Sequence, residues 1–473
     1  MVSRARRSAA RAACVAALAL LCAAAAPAFP PPPALPRNPD PNRPEQAVAA
    51  ADFLNSLGIN IGPSPRVNDR IPEYAKMIRY LGVRNLRGSA SDPTGNTARY
   101  MTTLANAADA RVIYGAPTKG GTGERMYSVE LPEIRVLAAA GRLLAVEGPN
   151  EPETWPVTYN GVRTDRDVSW RPLAELMRDF YAAMKSDPAL RRYPVASVSH
   201  NGAQPDDVGL QFLKIPEGAG ALMPAGTTYA DMANMHNYVI WKDAAEPVDN
   251  AAWHAADPTG DVLGRQYTLP QDYGTTWLRK HRGYSGAQLA ALPRITTETG
   301  WPSDNGGLEA SGKTLLNVYL AQFLRGYSYT FIYQLKDQEG GFANTFGMFT
   351  ATREPKPVAR WVHNMTTILS DGSAPAAPGV LGWSIEGVPN DAFGHPTVHA
   401  FLLQKSDGRF WLVVWNERWP AKRDEIEVRL GAEARRVRLY DPTLGVEPQA
   451  KFESVSCVAL TMTDHPVFLE IDP

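Results

Sequence analysis

Short apolar runs recur along the first three quarters of the chain, with stretches of helical spacing between them. Eight of these runs read as strands: Leu57–Ile61, Val83–Arg87, Arg111–Tyr114, Leu143–Glu147, Val195–Ser199, Met232–His236, Arg294–Glu298 and Tyr329–Tyr333. Their length suits strands rather than helices. Ile71, Tyr74, Ala75, Ile78 and Leu81 instead fall three or four residues apart, which lines up one face of a helix. The segments 172–185 and 315–327 are equally periodic. Pro132 and Glu133 lie near the start of a further helical stretch over 130–140, where a missing N–H is tolerated. Eight strands alternating with helices over residues 45–372 predict an α/β fold, a (β/α)8 TIM barrel with insertions. A doubly wound open sheet gives the same alternation, and the strand count alone does not separate the two.

The pattern changes after about Ser373. Helical spacing stops, and runs such as Val398–Leu403, Phe410–Trp415, Ile426–Leu430 and Arg436–Tyr440 alternate with turn signals such as Ser406-Asp407-Gly408. This predicts a C-terminal β-sandwich domain over 373–473, reached through a hinge at 372–378. Trp411 and Trp415 are four apart in one run and so face the same side, either as core or, with Trp419, as a sugar platform. Cys457 sits in a strand-like run and reads as a small buried hydrophobe.

The N-terminus alters the charge and the cysteine count. Arg4, Arg6, Arg7 and Arg11 precede the apolar run Ala12–Ala26 and then Ala26-Pro27-Ala28, a small-x-small cleavage site. This is the layout of a secretory signal peptide over 1–28, which makes the mature chain secreted or periplasmic. The apolar run is 15 residues long, short of the roughly 20 that span a bilayer, which argues against an uncleaved anchor. Residues 29–44 are rich in Pro and read as an extended linker. The whole chain carries 48 bases and 49 acids; without the four leader arginines, 44 bases face 49 acids, a net charge of −5. With no long basic run, a nucleic-acid partner is excluded. Of three cysteines only Cys457 lies beyond the signal, so no internal disulfide holds the mature chain and its cores must do so. No Cys/His cluster has zinc spacing, so no metal is expected.

In a barrel, the groups at the C-terminal strand ends carry the chemistry. Glu147-Gly148-Pro149-Asn150-Glu151-Pro152 ends the fourth predicted strand, and Thr297-Glu298-Thr299-Gly300-Trp301-Pro302-Ser303 ends the seventh. Each presents a carboxylate at the mouth. Two facing carboxylates are what cleavage of a glycosidic bond needs. One is protonated and donates to the leaving oxygen; the other is ionised and attacks the anomeric carbon or activates a water.

These motifs resemble the clan A retaining glycoside hydrolases. In that clan the acid/base follows an Asn at the end of strand four, and the nucleophile ends strand seven. The spacing Glu-x-x-Asn-Glu from Glu147 fits as well. The run 297–303 is similar to the nucleophile signature of plant-type β-1,3-glucanases. A trailing β domain is instead similar to the layout of β-xylosidase, cellulase-like and glucuronidase-like members.

The resemblance implies Glu298 as nucleophile and Glu151 as general acid, then base, with carboxyls about 5–5.5 Å apart. It implies that Asn150 binds the sugar 2-hydroxyl. It also implies that His236-Asn237-Tyr238 is the clan's His-x-Tyr, with Tyr238 donating to Glu298. Arg87, after strand two, is expected to hold Glu298 by a charge-assisted bond, and Glu147 to be a buried partner of Arg87 or Lys336. His200, with Asn201, is a further substrate-binding candidate. Trp301 or Trp241 would stack on a sugar face, and Gln334, Lys336 and Asp337 would line the cleft after strand eight. The expected function is a secreted retaining β-glycoside hydrolase acting on β-linked glucan-like poly- or oligosaccharides without a cofactor. The same residues would serve a transglycosylase that remodels exopolysaccharide. A non-catalytic carbohydrate-binding protein on a degenerate barrel is a third reading.

Overall fold

The eight apolar runs become eight parallel strands in the computed structural model, which describes residues 45–61, 70–89, 97–115, 121–164, 169–200, 212–239, 248–259, 284–339, 345–372 and 377–473. The expected signal peptide and linker, Asn201, Trp241 and part of the expected hinge lie outside the described residues. The strands are β1 Leu57–Asn60, β2 Asn85–Ser89, β3 Arg111–Gly115, β4 Leu143–Glu147, β5 Val195–Ala196, β6 Ala233–His236, β7 Arg294–Thr299 and β8 Tyr327–Tyr333. Their order in the sheet is β6-β7-β8-β1-β2-β3-β4-β5. Isolated parallel bridges Ala196↔Met232 and His200↔Met235 join β5 to β6 and close the ring. The fold is therefore a barrel and not an open sheet, a choice that alternation alone leaves undecided.

The helices follow their sequence signals, with boundaries moved by backbone chemistry. Helix Ile71–Leu81 buries its predicted stripe and Met77, and ends at Gly82 with φ 71, the left-handed turn that a residue without Cβ makes at little cost. The stretch expected at 315–327 is helix Gly307–Leu324. It stops earlier because Gly326, φ 79, turns the chain, and Tyr327 already opens β8. Helices Thr97–Ala108, Leu131–Ala139, Arg171–Ser186 and Pro357–Ile368 continue the alternation.

Strand β7 carries one extra residue. Asn234 and His236 of β6 pair with Ile295 and Glu298, while Thr330 and Ile332 of β8 pair with Thr296 and Thr299. Two residue steps along each neighbour are matched by three along β7, a β-bulge. The bulge breaks the usual alternation of a strand. Thr297 and Glu298, though consecutive, both reach groups in the barrel mouth: Thr297 Oγ1 donates to Glu147, and Glu298 accepts from Arg87.

The C-terminal region is an antiparallel β domain. Its long hairpin, Asp424–Tyr440 with Pro448–Met462, runs across it. Residues 427–430 pair with Trp383–Glu386, and residues 436–440 pair with 468–472 of the strand Pro466–Asp472, which continues the sheet to Phe410–Asn416 and Val398–Gln404. Leu402, Leu412, Val414, Ile426, Val428, Val437, Leu469 and Ile471 share its core. Trp411 and Trp415 are 4% and 0% exposed. Their rings serve as packing, Trp411 on Tyr440 and Trp415 on Phe401, so neither offers a sugar platform. Cys457 is exposed, not buried; alternation along the hairpin turns Val458 inward instead.

The chain's first described strands belong to this sheet too. Glu45–Gln46 pairs with Val380–Leu381, and Val48–Ala49 with Leu403–Gln404, just before helix Ala50–Ser56 leads into β1. Phe53, Phe323 and Phe401 pack ring on ring where that helix, helix 307–324 and the β domain meet, with centroids 5.1–5.7 Å apart. A polar joint lies nearby. Glu417 accepts from the backbone N–H groups of Ala252 and Trp253, and Asn250 Nδ2 donates to Asp391 Oδ2 at 2.8 Å.

Candidate active site

Arg87 sits at the centre of the barrel mouth, 3% exposed. Its Nε and Nη2 donate to the two oxygens of Glu147 at 2.8 and 2.9 Å, a bidentate pair. Nη2 also donates to Asn150 Oδ1 at 2.6 Å, and Nη1 donates to Glu298 Oε1. One guanidinium thus ties β2 to the ends of β4 and β7. Burial disfavours its charge, but Glu147 and then Glu298 outweigh burial and hold its pKa above the ordinary arginine value. Burial would raise the Glu147 carboxyl, yet Arg87 holds it below the usual range, so it stays ionised while fully enclosed. Arg87→Met removes the only arginine bonded to Glu147 among the described residues. The expected loss is about 3–5 kcal/mol, the cost of leaving a buried charge unpaired, read from urea unfolding. A loss below about 1 kcal/mol would contradict this role.

Glu298 accepts from three strand ends. Besides Arg87, Tyr238 Oη donates to Oε2 at 2.8 Å, and Asn60 Nδ2, at the end of β1, lies 3.5 Å from Oε1. Burial first, and then the Glu298 charge, push the Tyr238 phenol well above its ordinary pKa, so it remains a donor. Tyr333 at the end of β8 is shifted up by the same two causes. Asn60 and Tyr333 escape the motif search, although Tyr333 closes a predicted strand and Asn60 closes the observed β1, one residue before the predicted end.

Glu151 follows β4 in an unusual backbone conformation, φ 42. A non-glycine residue seldom occupies this region, at a cost of about 1–3 kcal/mol. The turn is held by Glu151 N–H to Ser199 O at 2.8 Å, and by the N–H groups of Thr154 and Trp155 donating to Glu151 O. His236 joins the two carboxylates. Its Nδ1 is 2.8 Å from Glu151 Oε1 and 3.6 Å from Glu298 Oε2, and its Nε2 is 3.2 Å from Thr297 Oγ1. One oxygen of Glu151, one of Glu298 and a ring nitrogen of His236 all lie within 4.8 Å of one another. So tight a set would also suit a cation, but Arg87 already neutralises Glu298.

Burial lowers the His236 pKa; the Glu298 charge and the hydrogen bond and charge of Glu151 outweigh it, leaving the pKa raised. A folded-state value above the unfolded one gives stability that is complete below about pH 6.5 and is lost as pH rises through the raised value. The stability difference between the wild type and His236→Gln should therefore shrink as pH climbs above about 6.5. Denaturant unfolding across that window checks it; a difference that grows with pH would be the wrong sign.

The other expected residues are placed differently. His200 is 7% exposed, with Nδ1 2.5 Å from Glu153 Oε1, and its backbone O accepts from His236 N–H. It braces the turn that carries Glu151. Gln334 is 1% exposed and accepts from Gln338 at 3.1 Å, so it lies beneath the cleft surface. Asp337 is bound to Lys356 at 2.7 Å and to Gly347 N–H, which locks the loop after β8. Trp301 corrects the stacking expectation. It is 1% exposed, packs on Trp419 with centroids 5.9 Å apart, and is overlaid by the backbone of Gly306, where a Cβ would lie 2.4 Å from the indole. No face is left for a sugar. Trp155, four residues after Glu151, is 38% accessible.

Comparison of the fold with solved structures gives a consistent answer. A family 39 glycoside hydrolase from the gut symbiont Bacteroides cellulosilyticus WH2 matches over 89% of this chain and 82% of its own, with TM-score 0.54 and 14% identity. A bifunctional glucanase-xylanase protein from a metagenome library matches over 91% and 97%, with TM-score 0.52 and 12% identity. This is the fold of the glycoside-hydrolase barrels. A GH30 endoxylanase from Clostridium papyrosolvens C71 shares it over 92% and 99%, with TM-score 0.50 and 11% identity. No protein-family model and no curated protein matches the chain by sequence. With coverage this high, the likeness takes in the C-terminal β domain as well as the barrel; at this identity it establishes fold and no more.

Proposed function

We propose that the chain is a secreted retaining β-glycoside hydrolase acting on β-linked glucan-like poly- or oligosaccharides. The observation that carries the reading is the approach of Glu151 and Glu298, with carboxylate oxygens within 4.8 Å at the ends of β4 and β7. Retaining enzymes hold their carboxyls about 5–5.5 Å apart, whereas inverting ones need about 6.5–9.5 Å to seat a water between acceptor and base. Glu298, paired with Arg87 and oriented by Tyr238, attacks the anomeric carbon. The bond from that carbon to the glycosidic oxygen breaks, and Glu151 gives the leaving oxygen a proton. A glycosyl ester on Glu298 results. Glu151, now ionised, takes a proton from water as that water attacks the same carbon, and Glu298 is released. His236, hydrogen-bonded to Glu151, steadies the carboxyl that changes protonation state.

The glycosidase neighbours support a carbohydrate substrate, and those acting on glucan and xylan fit the β-linked class. Export rests on the sequence of residues 1–28; among the described residues no helix is long and apolar enough to cross a membrane. Incubating the purified chain with a panel of β-glucans, xylans and aryl β-glycosides is the test. Release of sugar by the wild type and none by Glu298→Gln is expected. Equal release by both, or binding without turnover across the panel, would overturn the assignment.

A further inference from the structure

We propose a second site, outside the cleft: a zinc-type divalent cation held by His254, Asp391 and His395, which fastens the β domain to the barrel. His254 lies on the short helix Ala251–Ala255, after β6, and the other two lie in the loop 391–395 of the β domain. His254 Nε2 is 2.8 Å from Asp391 Oδ2, and His395 Nδ1 is 3.7 Å from the same oxygen. All three donor atoms fall within 4.8 Å of one another. Zinc bonds imidazole and carboxylate at about 2.0–2.2 Å, which puts tetrahedral ligands about 3.3 Å apart, and the two observed distances bracket that value. A cation entering here replaces the His254–Asp391 hydrogen bond, and the neutral imidazole takes its Nδ1–H tautomer. Two imidazoles and one carboxylate favour zinc or its transition-metal neighbours over calcium or magnesium, which prefer all-oxygen shells.

The surroundings are those of a built site. Asp391 Oδ1 accepts from the backbone N–H groups of Phe393 and His395, both at 2.9 Å, and Asp391 N–H donates to His395 O at 2.8 Å. The loop therefore presets two ligands. Asn250 Nδ2 orients Asp391 from the barrel side, the kind of outer partner that metal ligands need. His254 and Asp391 are buried, with side chains 2% and 1% exposed, while His395 is 48% exposed and leaves an entry path and a place for a water ligand. The nearby Arg325 is paired with Asp257 at 3.3 Å, which offsets its repulsion of a cation. The same short helix is bonded to the cleft, because Asn237, between His236 and Tyr238, donates to Ala255 O at 2.8 Å. His254 and Asp391 are 137 residues apart in sequence, which is why no motif spacing announces the site.

The purified full chain, stripped with chelator, is titrated with Co2+ followed by visible absorption and with Zn2+ followed by calorimetry. One equivalent is expected, with the intense bands of tetrahedral cobalt and a raised Tm. His395→Ala, at an exposed position, should fold normally, keep its metal-free activity and Tm, and lose at least about tenfold in affinity. Asn250→Ala should weaken binding by about 10–100-fold. Glu298→Gln, in the cleft, should bind as the wild type does. No saturable binding, binding unchanged in His395→Ala, or binding abolished by Glu298→Gln would overturn the proposal.

Discussion

Glu298→Ala is expected to lower kcat/KM on aryl β-glycosides by on the order of 10⁵-fold, the scale seen when a covalent nucleophile is removed. The variant keeps Glu151, so protonation of the leaving group survives, but no group is left to take the anomeric carbon. Shortening the side chain also opens space on the face that Glu298 occupied. Added azide should enter there and attack from the same side, giving a glycosyl azide of inverted, α configuration. Arg87 and Tyr238, which bond Glu298 at present, would face that anion. Recovery of activity with an α-azide product identifies Glu298 as the attacking group. Full activity without azide would place the nucleophile elsewhere.

The second large effect belongs to Glu151. Glu151→Ala should cost about 10²–10⁴-fold on substrates with poor leaving groups, the usual worth of general acid catalysis. On dinitrophenyl glycosides, whose leaving group needs no proton, the first step should stay fast and the second become limiting. KM then falls with kcat because the glycosyl ester accumulates. Azide now attacks that ester from the open face, and the product keeps the β configuration. Opposite azide anomers from the two variants separate the two carboxylates by role; the same anomer from both would contradict the assignment. His236, bonded to Glu151 at 2.8 Å, loses that partner in the variant, and its raised pKa should fall toward the ordinary histidine value because the Glu151 bond and charge contribute to the shift.

Much of this site is legible in the chain because strand ends carry it. All eight barrel strands overlap the predicted runs, although β6 and β7 also bury polar residues, Asn234, His236, Thr296 and Thr297 among them. Arg87, Glu147, Glu151 and Glu298 stand at or just after predicted strand ends, the family resemblance points to His236 and Tyr238, and the fold brings all six to one mouth. What escaped depends on local backbone detail. The bulge in β7 turns Thr297 and Glu298 the same way, and nothing in Thr-Thr-Glu-Thr announces an extra residue. Trp301 reads as a platform by type, yet the Gly306 backbone closes over it. Cys457 reads as core by type, yet its parity on the long hairpin turns it outward. Contacts between distant segments were invisible as well: Glu45–Gln46 pairing with Val380–Leu381, and the joint of Asn250, His254 and Asp391, have no sequence period to betray them.

The central claim is that Glu151 and Glu298 act by double displacement, and the stereochemistry of the first product tests it most directly. Proton NMR on a cleaved β-glycoside, recorded before the sugar mutarotates, reads that configuration. The close approach of the two carboxylates predicts that the β anomer forms first and decays toward equilibrium. An α anomer formed first would mean direct attack by water and would contradict the account.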